Sequence, residues 1–297
     1  MNHGISMEYN IAANILNRHI FDGDKIALLE NIADYPERFM GLFRPTKPKA
    51  KILQNLLQSH EIRFGDAIEE LLEALIQDLG YSLLPSYLQN SSGETLSLDQ
   101  YFLLGNTVYF VEQKVRDDHD STKKRGQIRN FESKLEILIK EHGSNLTGIM
   151  YFVDPSLKKN RKYYHQELRK MSEFYGLQLH LFYGVELFKY LGHPQVWDNL
   201  IDWLDRWKAE LPDLPEVNLD LDPSDSFDEI KNIPLRYWRK LILNDRYWDE
   251  GIIQVLFKEG ATLRLLLVYF GQQKERPYQV LKEVLDSRLV GFYPSQS

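Results

Sequence analysis

Asp99, Glu112 and Lys114 are the residues of this chain whose types and spacing point most directly to chemistry. In VYFVEQK, residues 108–114, strand alternation puts Val108, Phe110, Glu112 and Lys114 on one face, so an apolar side ends in a carboxylate and an ammonium. Charges on a core-directed face are costly unless they are paired or bind an ion. Twelve residues separate Asp99 from Glu112; Asp99 lies inside another apolar run over residues 96–104, and Gly105-Asn106 between the runs reads as a tight hairpin turn. Such a hairpin lays Asp99 alongside Glu112. Two carboxylates with open oxygen positions suit a hard cation such as Mg²⁺, which polarises a phosphoryl oxygen and acidifies a bound water. Lys114 is then placed to orient or deprotonate that water, or to neutralise charge in the transition state. The chemistry available to this trio is metal-dependent phosphodiester hydrolysis. A strand-end ion pair between Glu112 and Lys114 is the plainer alternative. The shared face, the hairpin Asp99 and the basic segment after Lys114 weigh against it.

The elements that must position these residues are legible in the apolar periodicity. Residues 49–58 predict one helix and residues 62–79 a stronger one, with Phe64, Ile68, Leu71, Leu72, Leu75 and Leu79 on one face and Gly80 as the stop. After the hairpin strands, a basic amphipathic helix is expected over residues 122–141. A doubly buried strand over 146–153, a Lys-rich helix over 159–175, a strand over 177–183 and a helix over 195–207 come next. This order predicts an α/β fold, a mixed β-sheet flanked by helices, with helical N- and C-terminal additions. The expected divisions are an N-terminal helical region (1–61), an α/β core that holds Asp99, Glu112 and Lys114 (62–210), an acidic Pro-rich linker (211–226) and a C-terminal helical region (227–297).

Composition narrows the function classes. The 297 residues are 43% apolar and 27% charged, enough for a real core, and no stretch approaches the apolar length of a membrane helix. The N-terminus lacks a basic segment followed by an apolar one, so no export signal and no membrane partner are expected. With no Cys, disulfides, zinc ribbons and thiol nucleophiles are excluded, and a metal must be held by oxygen or imidazole. The eight His are scattered without H-x-H or H-E-x-x-H spacing, and neither a P-loop nor a Rossmann glycine fingerprint is present. The formal charge of −7 hides a segregation. Residues 198–231 carry eleven acidic against three basic side chains, whereas residues 114–134 carry seven basic against four acidic ones. Within the latter, Arg116, Lys123, Lys124, Arg125 and Arg129 are candidates for contact with nucleic-acid phosphates.

Asp99 followed by Glu112-Gln113-Lys114, in the order helix, hairpin strands, helix and further strand, resembles the PD-(D/E)XK nuclease superfamily and, within it, the type II restriction endonucleases. Leu98 stands where the family name has Pro. Gln127-Ile-Arg-Asn-Phe131 is similar to a Gln-x-x-x-Tyr element of some members, with Phe for Tyr. The resemblance, over residues 63–207, implies Asp99 and Glu112 as metal ligands and Lys114 as the catalytic lysine. Gln127 is a further catalytic candidate. The resemblance also implies an additional acid from the preceding helix, for which Glu69, at the edge of the apolar face, is chosen over Glu70 and Glu73. The activity it implies is that of a Mg²⁺-dependent endonuclease, with Mn²⁺ able to substitute, that cuts double-stranded DNA at a specific short sequence. A homodimer, a cytoplasmic location in a bacterium or archaeon, and a cognate DNA methyltransferase that is not a physical partner are implied with it. The alternatives are a repair, transposition or junction nuclease of the same superfamily, or a non-catalytic DNA-binding protein on a nuclease-like sheet.

Overall fold

In the computed structural model of the chain, which describes residues 6–89, 93 and 95–292, the order begins α1 (Tyr9–Phe21), α2 (Asp24–Asp34), α3 (Pro48–Asp78), β1 (Ser82–Leu83), β2 (Tyr87–Gln89), β3 (Thr95–Ser97), β4 (Gln100–Leu104) and β5 (Thr107–Lys114). It continues through α4 (Ser121–His142), β6 (Leu146–Phe152), α5 (Arg161–Tyr175), β7 (Gln178–Tyr183), α6 (Val185–Tyr190) and α7 (Gln195–Glu210). Six further helices follow among the described residues: α8 (Pro223–Ile230), α9 (Leu235–Leu243), α10 (Asp245–Asp249), α11 (Ile252–Leu256), α12 (Ala261–Gln272) and α13 (Arg276–Val290). The outermost residues of both terminal regions, His3 among them, lie outside the described residues. The fold is the expected α/β arrangement, a mixed sheet flanked by helices with helical regions at both ends. No described helix is long and apolar enough to cross a membrane.

The chain divides into two compact units, Met1–His19 with Arg63–Leu211 and Ile20–Ile62 with Pro212–Ser297. The first holds a five-stranded sheet in the order β1-β4-β5-β6-β7, antiparallel from β1 to β5 and parallel from β5 to β7. Gly105 turns the β4–β5 hairpin at φ +61°, a conformation open to glycine without a Cβ penalty. All seven residues of β6 are buried, which is why its sequence is a continuous apolar run rather than an alternating one. On one face of the sheet Val108 and Phe110 meet Ile128, Phe131, Leu135 and Leu138 of α4, with the Phe110 and Phe131 rings stacked 5.1 Å apart. Asp120 caps α4 by accepting from the N–H groups of Thr122 and Lys123, an arrangement worth about 1 kcal/mol.

Two of the expected elements differ by more than a few residues at their ends. The helices over 49–58 and 62–79 are one 31-residue helix, α3, because Ser59-His60-Glu61 contains no breaker and His60 pairs with Asp24 instead of ending the turn. The helix does stop at Gly80, whose φ is +87°. The strand expected over 96–104 is broken at Leu98-Asp99. Before the break β3 pairs with β2, where the Leu98 N–H reaches the Ser86 carbonyl, and after it β4 joins the large sheet.

The second unit is helical. Leu29 and Ile32 of α2, Ile52 of α3, Trp238 and Leu241 of α9, Leu266 and Phe270 of α12 and Leu285 of α13 share its core. The acidic Pro-rich stretch is packed into the same unit. Val217 and Leu219 are buried there, and the Asp220 carboxylate accepts from the N–H groups of Glu259 and Thr262.

Candidate active site

The carboxyl end of β5 is where an open α/β sheet places its ligands, and here the strand ends in the charged pair Glu112 and Lys114. β5 forms because Thr107-Val-Tyr-Phe-Val is rich in β-branched and aromatic residues, and it lies centrally, antiparallel to β4 and parallel to β6. The register Gln100↔Val111 places Asp99, at the break before β4, beside the end of β5. There Asp99 Oδ2 accepts from the Gln113 N–H at 2.7 Å and from Lys114 Nζ at 3.0 Å. Lys114 Nζ also lies 2.9 Å from Glu112 Oε1 and donates to the Gln113 carbonyl at 2.5 Å. Asp99, Glu112 and Lys114 are thus brought together as one contiguous group.

Two further side chains enter this group from α4, neither of them singled out by the sequence. Lys134 Nζ lies 2.5 Å from Glu112 Oε2 and 3.8 Å from Asp99 Oδ1, and Asn130 Nδ2 donates to Glu112 Oε1 at 3.1 Å. A signal for Lys134 exists in the helical pattern. It falls within the apolar face formed by Ile128, Phe131, Leu135 and Leu138, where a solvated lysine has no place.

Burial separates the members of the group. The side chain of Glu112 is 2% exposed, Lys134 5%, Asp99 11% and Lys114 30%. Burial by itself pushes the Glu112 carboxyl up, but the ammonium groups of Lys114 and Lys134 outweigh it and hold Glu112 below the usual carboxylate range. Asp99 goes the other way. Its burial and the neighbouring Glu112 charge raise it against the pull of Lys114 and Lys134. Lys114 is held above its ordinary value because Glu112 and Asp99 more than offset its desolvation.

Glu69 of α3 is half-buried, and its backbone carbonyl accepts from Gln100 Nε2 at 2.7 Å, which fixes that turn of α3 against β4. Burial, reinforced by the charge of Asp99, pushes the Glu69 carboxyl up to about 7. Glu70 points elsewhere and pairs with Arg18 and His19 of α1, while Glu73 is exposed. Gln127 is engaged away from the carboxylates. Its Oε1 accepts from the Tyr164 hydroxyl, and its Nε2 lies 3.2 Å from His119 Nδ1. Beside it, buried Asp117 accepts from the backbone and side chain of Asn160 and from the Tyr183 hydroxyl, clasping the segment after β5 to the start of α5. Of the basic candidates, Arg116, Lys123, Arg125 and Arg129 are exposed, and Lys124 lies over the Tyr163 ring at 4.6 Å.

Among the described residues no three His, Asp or Glu side chains are gathered closely enough to hold an ion by themselves. The donor set of Asp99 and Glu112 nevertheless fits a hard divalent cation. Both present carboxylate oxygens, Glu112 buried and Asp99 largely so, and each already takes positive charge as its partner.

A family model described as type II restriction endonuclease, HinfI, matches residues 8–92 and 84–208 of the chain. No curated protein matches it. The matched residues include every member of the group at the end of β5.

Proposed function

The chain belongs to the HinfI family of type II restriction endonucleases, site-specific deoxyribonucleases acting on double-stranded DNA, and from that premise we propose that Asp99, Glu112 and Lys114 form its catalytic centre, with Mg²⁺ as the cofactor. The observation that carries this is the position of Lys114 Nζ, 3.0 Å from Asp99 Oδ2 and 2.9 Å from Glu112 Oε1 at the carboxyl end of the central strand. Asp99 and Glu112 would hold the cation, with Glu69 as a further acid. When bound, the cation supplies polarisation of the scissile phosphoryl group and a more acidic water.

The remaining work falls to the chain's own groups. Lys114 is the most exposed of the four charged side chains in the group, so its ammonium can turn towards an incoming phosphate and stabilise the charge that builds as water adds to phosphorus and the bridging oxygen leaves. Asn130 fixes the orientation of Glu112 through Oε1. Exposed Lys123, Arg125 and Arg129 on α4, with Arg116, supply phosphate contacts that position the duplex without reading its sequence. A homodimer would set two such centres about a two-fold axis, as cleavage of both strands at a palindrome requires.

Incubation of the full chain with plasmid and Mg²⁺ tests this reading. Discrete fragments are expected from the wild type. Asp99→Ala and Glu112→Ala should lose cleavage while still retarding DNA in Ca²⁺. Lys114→Met should slow single-turnover cleavage by about a hundredfold or more with little change in binding. Substantial cleavage by folded Asp99→Ala would overturn the assignment.

A further inference from the structure

Lys134 has no part in the hydrolytic chemistry assigned to Asp99, Glu112 and Lys114, yet it is the cation most deeply set among the carboxylates. Its side chain is 5% exposed, and its ammonium bridges Glu112 Oε2 at 2.5 Å and Asp99 Oδ1 at 3.8 Å. One turn earlier on the same helix, Asn130 holds the other Glu112 oxygen. The helix therefore grips Glu112 at both oxygens, with one neutral donor and one charged donor. The neutral donor suffices to orient a ligand. A fixed positive charge between two carboxylates does something more, because it competes with any other cation for the same oxygens and repels it at short range through a medium that screens poorly.

We propose that Lys134 is a positioning residue that sets the affinity of this site for a divalent cation: it keeps Glu112 and Asp99 together and opposes tight binding by the charge it places between them. The inference rests on the reading that Asp99 and Glu112 are the cation's ligands. Loss of the charge leaves two buried carboxylates facing one another with only Lys114 between them. The protein is then less stable by itself and more avid for a cation, because the ion does what the lysine did. An arginine retains the charge and a glutamine retains a donor to Glu112 without it.

The test is calorimetric titration of the full-length protein with Ca²⁺ alone, without DNA, accompanied by thermal melts with and without Ca²⁺. Lys134→Met and Lys134→Gln should bind Ca²⁺ about tenfold or more tightly than the wild type, and Lys134→Arg should match the wild type. Lys134→Met should melt lower than the wild type in chelator and recover with Ca²⁺. If Lys134→Met does not fold, Lys134→Gln carries the comparison. Unchanged or weaker Ca²⁺ binding by a folded, uncharged variant overturns the inference. Asp99→Asn distinguishes the two levels of failure. If the wild type binds Ca²⁺, Asp99→Asn does not, and Lys134→Gln equals the wild type, the role of Lys134 falls and the metal site stands. If Asp99→Asn binds as the wild type does, both fall.

Discussion

Two acids that differ only in surroundings show how much the environment decides at the scale of single residues. Glu112 is almost completely buried and yet held ionised, because two ammonium groups reach it. Glu69 is less buried, but Asp99 adds to its desolvation and its carboxyl rises to about 7 from an ordinary 4.5. The folded protein therefore holds a proton on Glu69 at pH values where the unfolded chain has released it. The stability this contributes is fully present below about pH 4.5 and is lost as pH rises through about 7. In the presence of a chelator, which removes any cation that would keep Glu69 ionised, the wild type should lose stability relative to Glu69→Gln between about pH 5 and about pH 8. Denaturant midpoints of the two proteins at those two pH values measure it. Parallel pH dependence would mean that the Glu69 carboxyl is solvated like an isolated one and takes no part in the cluster.

The elements fix these residues by a small number of close approaches, and Gly148 on β6 is the tightest. It stands opposite Phe110 of β5, and a Cβ there would come within 2.7 Å of Leu179 Cδ2 and 3.1 Å of Phe131 Cζ. The absent side chain lets α4 lie close to the sheet, and α4 carries both Asn130 and Lys134. Gly148→Ala should therefore destabilise the protein by about 1–3 kcal/mol through overpacking, read as a lower denaturant midpoint at unchanged m-value. No change in midpoint would mean that Leu179 and Phe131 yield freely and that β6 does not pin α4. The same part of the fold marks where the sequence is informative. The apolar runs and the two-residue turn predict the β4–β5 hairpin, β6 and α4 because strand and helix periods are local properties. The break at Leu98-Asp99 is not legible, since residues 96–104 read as one apolar run and the change of partner rests on the Ser86 carbonyl and the Gln113 N–H, which come from other parts of the chain. Asp99, Glu112 and Lys114 stand out as charges on an apolar face. Lys134 violates the same rule on a helix, but it closes the net basic segment over residues 114–134, which reads as a solvated surface.

Over the whole molecule the charge of −7 is a poor guide to what the surface attracts, because the signs are sorted along the chain. Part of the acidic excess over residues 198–231 is structural: Asp220 closes a loop by accepting backbone N–H groups, and Asp222 caps α8. The basic side chains of α4 lack such internal work for the most part; Lys123 and Arg125 project into solvent in its first turns, just beyond the carboxyl end of β5. If they meet the phosphates of a duplex, replacing Lys123, Lys124 and Arg125 together with Ala should weaken binding to all sequences alike. The log–log dependence of affinity on salt should then flatten by about 0.9 for each phosphate no longer neutralised. Fluorescence titrations of a labelled duplex over a range of salt concentrations, in Ca²⁺ to avoid cleavage, give the slope directly. Since Lys124 also covers the Tyr163 ring, its replacement alone should cost less binding than that of Lys123 or Arg125. A variant with an unchanged slope but an altered preference among sequences would place these residues at base edges and assign the positioning of the duplex to another surface.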